Sequence, residues 1–330
     1  MPLSDFYGEL AAIAGAICFG LSNVLIKSQS GKIKPMAINA IRLTFSALFY
    51  FILILSMGML KTTFTMNFKT SLFLVLGTLL GIVIGDVIFY FSQQLIGLSR
   101  AYPIASSYPL LTYIVGIILG YEFYGKFRIQ GVLLVILGVY IVSSSTEDKL
   151  GNLFLYQTNN LQSTSLLTDI EKMDRRNNSR GLIKKKRHLI ILGILGAFTT
   201  QICWTFGTIL MDRGLEVEVP GISANAFRII SVAPLAILIF SVSNRGKQKS
   251  IFSWKGAIIV LIAGIIGNTI GGLLYVFALS YSDASTTAAI TAAAPLIAAP
   301  LSIIFLKERI SILLIIGTIL TVIGIWLIII

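Results

Sequence analysis

The sequence predicts an all-α polytopic membrane protein with ten transmembrane helices in a 5+5 inverted repeat. Three observations carry this. First, the chain is very apolar: hydrophobic residues are 56% of its 330 residues, charged residues are 12%, and mean hydropathy is +0.89. An ordinary soluble domain has about 25% charged residues, so a soluble core of this composition lacks the polar surface to cover it. Second, the apolar residues fall into runs near the ~17–25 residues that a membrane-crossing helix needs. Third, the chain repeats itself.

The repeat has an offset of 186 residues and no gaps. It pairs Pro109, Glu122, Gly131 and Gly138 with Pro295, Glu308, Gly317 and Gly324. The same offset pairs Asn39 with Asn225, Arg42 with Arg228, Gly81 with Gly267, Gly85 with Gly271, and Ser99 with Ser285. Scarce residue types recurring at one offset mark two copies of one unit, residues 1–145 and 188–330. Residues 146–187 have no counterpart. They are rich in Asn, Ser, Thr and charge, cannot bury enough apolar surface to fold alone, and read as a polar flexible linker.

In chain order, the first unit places spans near Gly8 to Ile26, Met36 to Met57, Ser71 to Leu95, Ile104 to Tyr121, and Ile129 to Val142, the last being short. The second unit places them near Leu189 to Met211, Ile222 to Val242, Gly256 to Leu279, Ala284 to Leu306, and Ser311 to Ile330. Helices are required because lipid offers no partner to an open backbone. An odd number of spans per unit makes the second unit enter from the opposite side. That is the architecture of secondary transporters, with a site near the midplane. Pro109 and Pro295 each remove a backbone bond and are expected to kink their helices. Gly81 and Gly85 align on one face for close packing.

Ionisable groups inside a span are expensive and need a reason. Asn39 and Arg42 share a helix face, repeated by Asn225 and Arg228. They read either as an anion-attracting cavity wall or as anchors that snorkel to head groups or pair with a carboxylate. Asp86 stands near the middle of the third span, where Gly272 is its offset partner. It reads as a proton carrier or cation ligand, or as a polar contact between helices. Tyr90, Gln93, Gln94, Trp204, Asn268 and Tyr275 are candidates to line a cavity for a small polar solute, with interhelical bonding as the alternative. Glu9 reads as interfacial. Glu122 and Glu308, at helix ends, are candidate gate partners for Arg228 and Arg42 in the opposite unit.

The net charge of +12 lies mostly in loops, which points to membrane topology and not to a nucleic-acid partner. The excess of Lys and Arg on the linker side places both termini outside. Cys18 and Cys203 have no disulfide or metal spacing. One histidine and one mid-span aspartate fall short of a catalytic cluster, and no GxxxxGK[ST] motif is present. The chain is therefore expected not to be an enzyme and to need no cofactor, with a membrane-embedded enzyme or a structural membrane protein as the alternatives.

Two stretches carry a family likeness: LLGIVIGDVIFYFSQQLIGLSRAYPIASSYPLLTYIVGIILGYEFYG in the first unit and IIGNTIGGLLYVFALSYSDASTTAAITAAAPLIAAPLSIIFLKERI in the second. The chain resembles the drug/metabolite transporter superfamily, specifically proteins with two tandem EamA domains. The resemblance implies a multi-pass protein of the cell membrane, ten helices around a central cavity, and alternating access. It also implies a small organic metabolite as substrate, an amino acid or related polar or anionic solute, with a proton or ion as possible coupling partner. Two features depart from the family. The linker is long, and the resemblance implies termini inside. The carboxylate of the small multidrug members, eight residues before a Lys at the end of the first helix, is replaced here by Phe19 before Lys27. Cationic-drug exchange through that carboxylate is not supported.

Overall fold

The computed structural model describes residues 3–29, 32–96, 98–144, 179–215, 219–243, 254–294, 296–297 and 312–329. Regular structure among them is helical. The first half holds α1 (Leu3–Ser28), α2 (Pro35–Ser56), a short α3 (Leu60–Phe64), α4 (Phe68–Thr78), α5 (Asp86–Ile96), α6 (Leu98–Ala105), α7 (Tyr108–Ile118) and α8 (Lys126–Ser144). The second holds α9 (Ser179–Gly214), α10 (Gly221–Ser243), α11 (Trp254–Gly264), α12 (Gly272–Tyr281), α13 (Ala284–Ala292) and α14 (Ile312–Ile329). Six helical stretches among the described residues are long and apolar enough to cross a membrane.

Local chemistry sets the ends. Pro35 opens α2 at the first helical position, where its missing N–H costs nothing. Gly58 closes that helix at φ +66°, with Gly58 N bonding Leu55 O and Met59 N bonding Ile54 O. Gly120, at φ +72°, closes α7 with the same pair of bonds. A left-handed residue followed by these two bonds satisfies the last carbonyls of a helix. Asn67 caps α4 by accepting from Thr70 N at 2.8 Å.

The 186-residue offset holds at the level of elements. Helices α2, α4, α5, α6 and α8 begin 186 residues before α10, α11, α12, α13 and α14. Both third spans contain a π-helical segment, Leu79–Gly85 and Ile265–Gly271, at that same offset. The two halves interleave. The first span of each half lies on the third span of the other: α1 on α11, α12 and the second π segment, and α9 on α4, α5 and the first. The equivalents α2 and α10 pack together, as do α8 and α14. In the α8–α14 seam a Cβ on Gly131 would lie 2.6 Å from Gly324 O, and one on Gly138 would lie 2.6 Å from Gly317 O. The sequence numbers rise along α8 as they fall along α14, so these equivalent helices run antiparallel. Large apolar side chains such as Ile52, Leu55, Ile118, Ile312 and Trp326 are exposed on the outside of the bundle, facing lipid.

Several expectations change. The fourth span is not one kinked helix: α6 ends at Ala105, a turn follows, and α7 starts at Tyr108 with Pro109 in its first turn. The ring at Pro109 removes a donor that the preceding helix needs, and the chain resolves this by restarting. The equivalent turn at Ala293 and Ala294 precedes Pro295, which lies outside the described residues, as does Glu308. The fifth span is longer than its apolar run, because Lys126 and Arg128 join its first turn. Helix α9 starts at Ser179, so the basic run ending the expected linker is helical; Lys and Arg are good helix formers. Glu9, in the first turns of α1, is buried in the bundle.

Candidate functional site

A cavity of about 160 Å³ lies between the halves. Much of its wall consists of repeat-equivalent pairs: Ser22 with Thr208, Arg42 with Arg228, Gly81 with Gly267, Ile82 with Asn268, Asp86 with Gly272, and Phe89 with Tyr275. A cavity lined twice over by the same positions lies on the axis that relates the halves. Both π segments contribute to it. The wide turn of a π-helix shifts the residues after it around the helix axis, and such segments are frequent at functional sites.

Arg42 is two turns into α2 and 4% exposed. Its Nη1 donates to Asp86 Oδ2 at 3.3 Å and to the Tyr90 hydroxyl, and its Nη2 donates to Asn268 Oδ1. Asp86 stands directly after the first π segment, and its Oδ1 accepts from Trp204 Nε1 of α9 at 3.2 Å. Trp204 packs against Phe89 and Tyr108 with ring centroids 5.3 and 5.7 Å apart. On the other side Tyr275 and Thr208 share a hydrogen bond of 2.6 Å. Arg228, 1% exposed, donates from Nε to Asn225 Oδ1 at 2.6 Å and from Nη2 to Gly272 O at 3.2 Å.

The structure thus brings Arg42, Asp86, Tyr90, Trp204, Arg228, Asn268 and Tyr275 to one cavity. It does not bring the other candidates there. Asn39 points to the backbone: its Nδ2 donates to Ile82 O at 2.9 Å and Val83 O at 3.5 Å, bracing the first π segment. Asn225 sits one layer back, between Arg228 and Tyr50, whose hydroxyl it meets at 2.5 Å. Gln93 and Gln94 lie one turn past Tyr90, the last residue of α5 that reaches the cavity. Neither arginine snorkels; both turn inward.

The Glu122–Arg228 arm of the expected cross-repeat gate is corrected, while Glu308, the expected partner of Arg42, lies outside the described residues. Glu122 does not meet Arg228. Its carboxylate accepts from Ser285 N at 3.0 Å and from the Ser285 hydroxyl, so it caps α13 of the other half. Arg42 takes its carboxylate from its own half. The arginines lie two turns deep while Glu122 lies in the turn after α7, and the arginine side chain is too short to span that difference in depth. Among residues that sequence reasoning missed are Ser22, Tyr102, Tyr108, Thr208 and Thr291. The offset itself held a signal, since Ser22 and Thr208 are hydroxyl residues at equivalent positions.

A helical bundle with apolar outer faces, repeated halves and a charged internal cavity is the architecture of a multi-pass membrane protein. The EamA-like transporter family model matches residues 6–144 and 191–330, and the chain belongs to that family. No curated relative matches the sequence. Among solved structures, one described only as "Crystal structure of protein" is similar at 16% identity, with 96% of each chain covered and a TM-score of 0.69. That likeness concerns the fold.

Proposed function

We propose that the protein is a secondary transporter that moves a small organic metabolite across the cell membrane by alternating access. The solute class is an amino acid or a related polar or anionic compound. The chain then has ten spans as a 5+5 inverted repeat, with residues 1–145 and 188–330 as repeats and 146–187 as the connecting linker. The observation that carries this reading is the cavity on the repeat axis, lined by equivalent positions from both halves. Two halves that can exchange conformations around a shared site open it to one side and then the other. The antiparallel course of α8 and α14 supports the inversion. The interrupted α6–α7 pair supports it too, since discontinuous helices bearing backbone polar groups are tolerated at depth only where they are buried in protein or face a cavity. Tyr102 and Tyr108 flank that break and line the cavity. Asp86 is the candidate for proton or ion coupling.

Reconstitution tests this. Purified protein in sealed vesicles, loaded with one labelled metabolite of a panel, should show saturable exchange that empty vesicles lack. Leakage equal to that of protein-free vesicles for the whole panel, with protein correctly inserted, would end the reading.

A further inference from the structure

The halves treat their equivalent arginines differently. In the first half Asp86 follows the π segment and neutralises Arg42. In the second half the equivalent position is Gly272, and Arg228 finds there only a backbone carbonyl, at 3.2 Å. The other bonds of Arg228 go to Asn225 Oδ1 at 2.6 Å and to the Met211 sulfur at 3.7 Å, both uncharged. Among the described residues no carboxylate lies within ion-pair distance of its guanidinium. A guanidinium remains protonated in a protein, and an unneutralised charge inside a membrane bundle is costly. The cavity therefore contains one balanced pair and one unbalanced cation.

Arg228 itself lines the cavity. No side chain separates it from Gly272: its guanidinium fills the place a Cβ would take there, with Nη2 2.9 Å away. Asn268, one turn before Gly272, lines the same cavity; its buried Nδ2 has no hydrogen-bond partner and is a second donor. Phe89, Tyr108 and Trp204 give the wall an aromatic part.

We propose that Arg228 binds the anionic group of the transported solute, a carboxylate or phosphate that supplies from the cavity the negative charge that Asp86 supplies in the first half. The inference rests on the transport reading and names the substrate class of the same site: a small organic anion with a flat apolar body. Its charge offsets that of Arg228, its body lies against the aromatic part of the wall, and the planar guanidinium matches a two-oxygen anion.

The test uses the purified full-length chain, with thermal unfolding as the readout, chloride held constant across the organic probes, and a separate chloride titration. The probes are benzoate and phenyl phosphate, with benzamide and benzylamine as neutral and cationic counterparts. At equal concentration at least one anion should raise the unfolding midpoint and the counterparts should not, because only a ligand of the native state stabilises it. The Gly272→Asp variant supplies the missing carboxylate from the chain itself; its new Cβ displaces the side-chain end of Arg228, 2.9 Å away, and makes ordinary contact with Asn225 at 3.5 Å. It should unfold no earlier than the parent and bind the anion at least about tenfold more weakly. Three results overturn the proposal: no anion outperforms its uncharged counterpart; Gly272→Asp binds as the parent does; or chloride alone gives the full protection, which makes the site one for inorganic ions. Uptake of labelled benzoate into vesicles is read separately. Binding lost in Gly272→Asp without uptake by the parent sinks the transport reading and leaves the anion site. Uptake unchanged by Gly272→Asp does the reverse.

Discussion

Arg42 and Asp86 hold each other at 3.3 Å, and Trp204 from the other half braces the carboxylate. Removing one partner leaves a buried charge unmatched, which costs more than the pair contributes. Asp86→Asn should keep the fold and lower stability by about 1–3 kcal/mol. Adding Arg42→Met should recover part of that loss, a non-additivity that a double-mutant cycle in thermal unfolding measures. The same Asp86→Asn substitution should change the pH profile or affinity of transport; an unchanged profile would make Asp86 purely structural. A second titrating group lies outside the spans. Burial pushes the Glu122 carboxyl up to about 7 from 4.5, opposed by the two bonds from Ser285 and by Arg128 and assisted by Asp283. The folded chain then holds this proton more tightly than the unfolded chain does. Its contribution to stability is present below about 4.5 and is lost as pH rises to about 7. The unfolding midpoint should fall across that window, and Glu122→Gln, which keeps an acceptor for Ser285 N, should flatten the fall.

The glycines of α8 and α14 show why elements meet as they do. Gly131 and Gly138, like Gly317 and Gly324, stand seven apart; at Gly131, Gly138 and Gly324 a carbonyl of the other helix lies 2.6–2.7 Å from where a Cβ would stand. Backbone cannot rotate away as a side-chain end can. Gly131→Ala should therefore force the helices apart and cost about 1–3 kcal/mol, read as a lower unfolding midpoint. By contrast Gly221→Ala, at a position with nothing within 4 Å, should be nearly neutral. The π segments work in the opposite sense, by turning a helix and not by narrowing it. They place Asp86 and Gly272 toward the cavity, with Asn39 bonded to the carbonyls of the first.

For the whole molecule, interleaving makes neither half complete. Helix α1 buries its inner face on the second half, and α9 buries its own on the first. Residues 1–145 expressed alone should be degraded or aggregate, and co-expression with residues 188–330 should rescue both, as detected by co-purification. Residues 146–187 are proposed only to connect the halves. Replacing residues 152–178 with a Gly/Ser chain should preserve transport, and loss of uptake at normal expression would count against it. The basic residues from Arg180 to Arg187 should be retained, since they begin α9 and bear on orientation.

The sequence by itself determined the membrane setting, the helical class and the repeat. These follow from composition, from run length and from residue identities at one offset, all of which are local or linear properties. Seven of the eleven candidate cavity residues reach the cavity for the same reason: a polar or ionisable group is expensive in lipid, so its presence marks an interior face. What only the tertiary structure decided was partnership. Asn39 and Asn225 look like their neighbouring arginines in the sequence, yet one braces a backbone and the other stands behind Arg228. Glu122 pairs with a helix start and not with an arginine, because depth in the bundle, and not charge, sets which groups can touch. The π segments were illegible, since one extra residue per turn leaves no mark in an apolar run. The absent carboxylate at Gly272 becomes meaningful only once Arg228 is seen beside it, because an offset in sequence states equivalence and distance in space states contact.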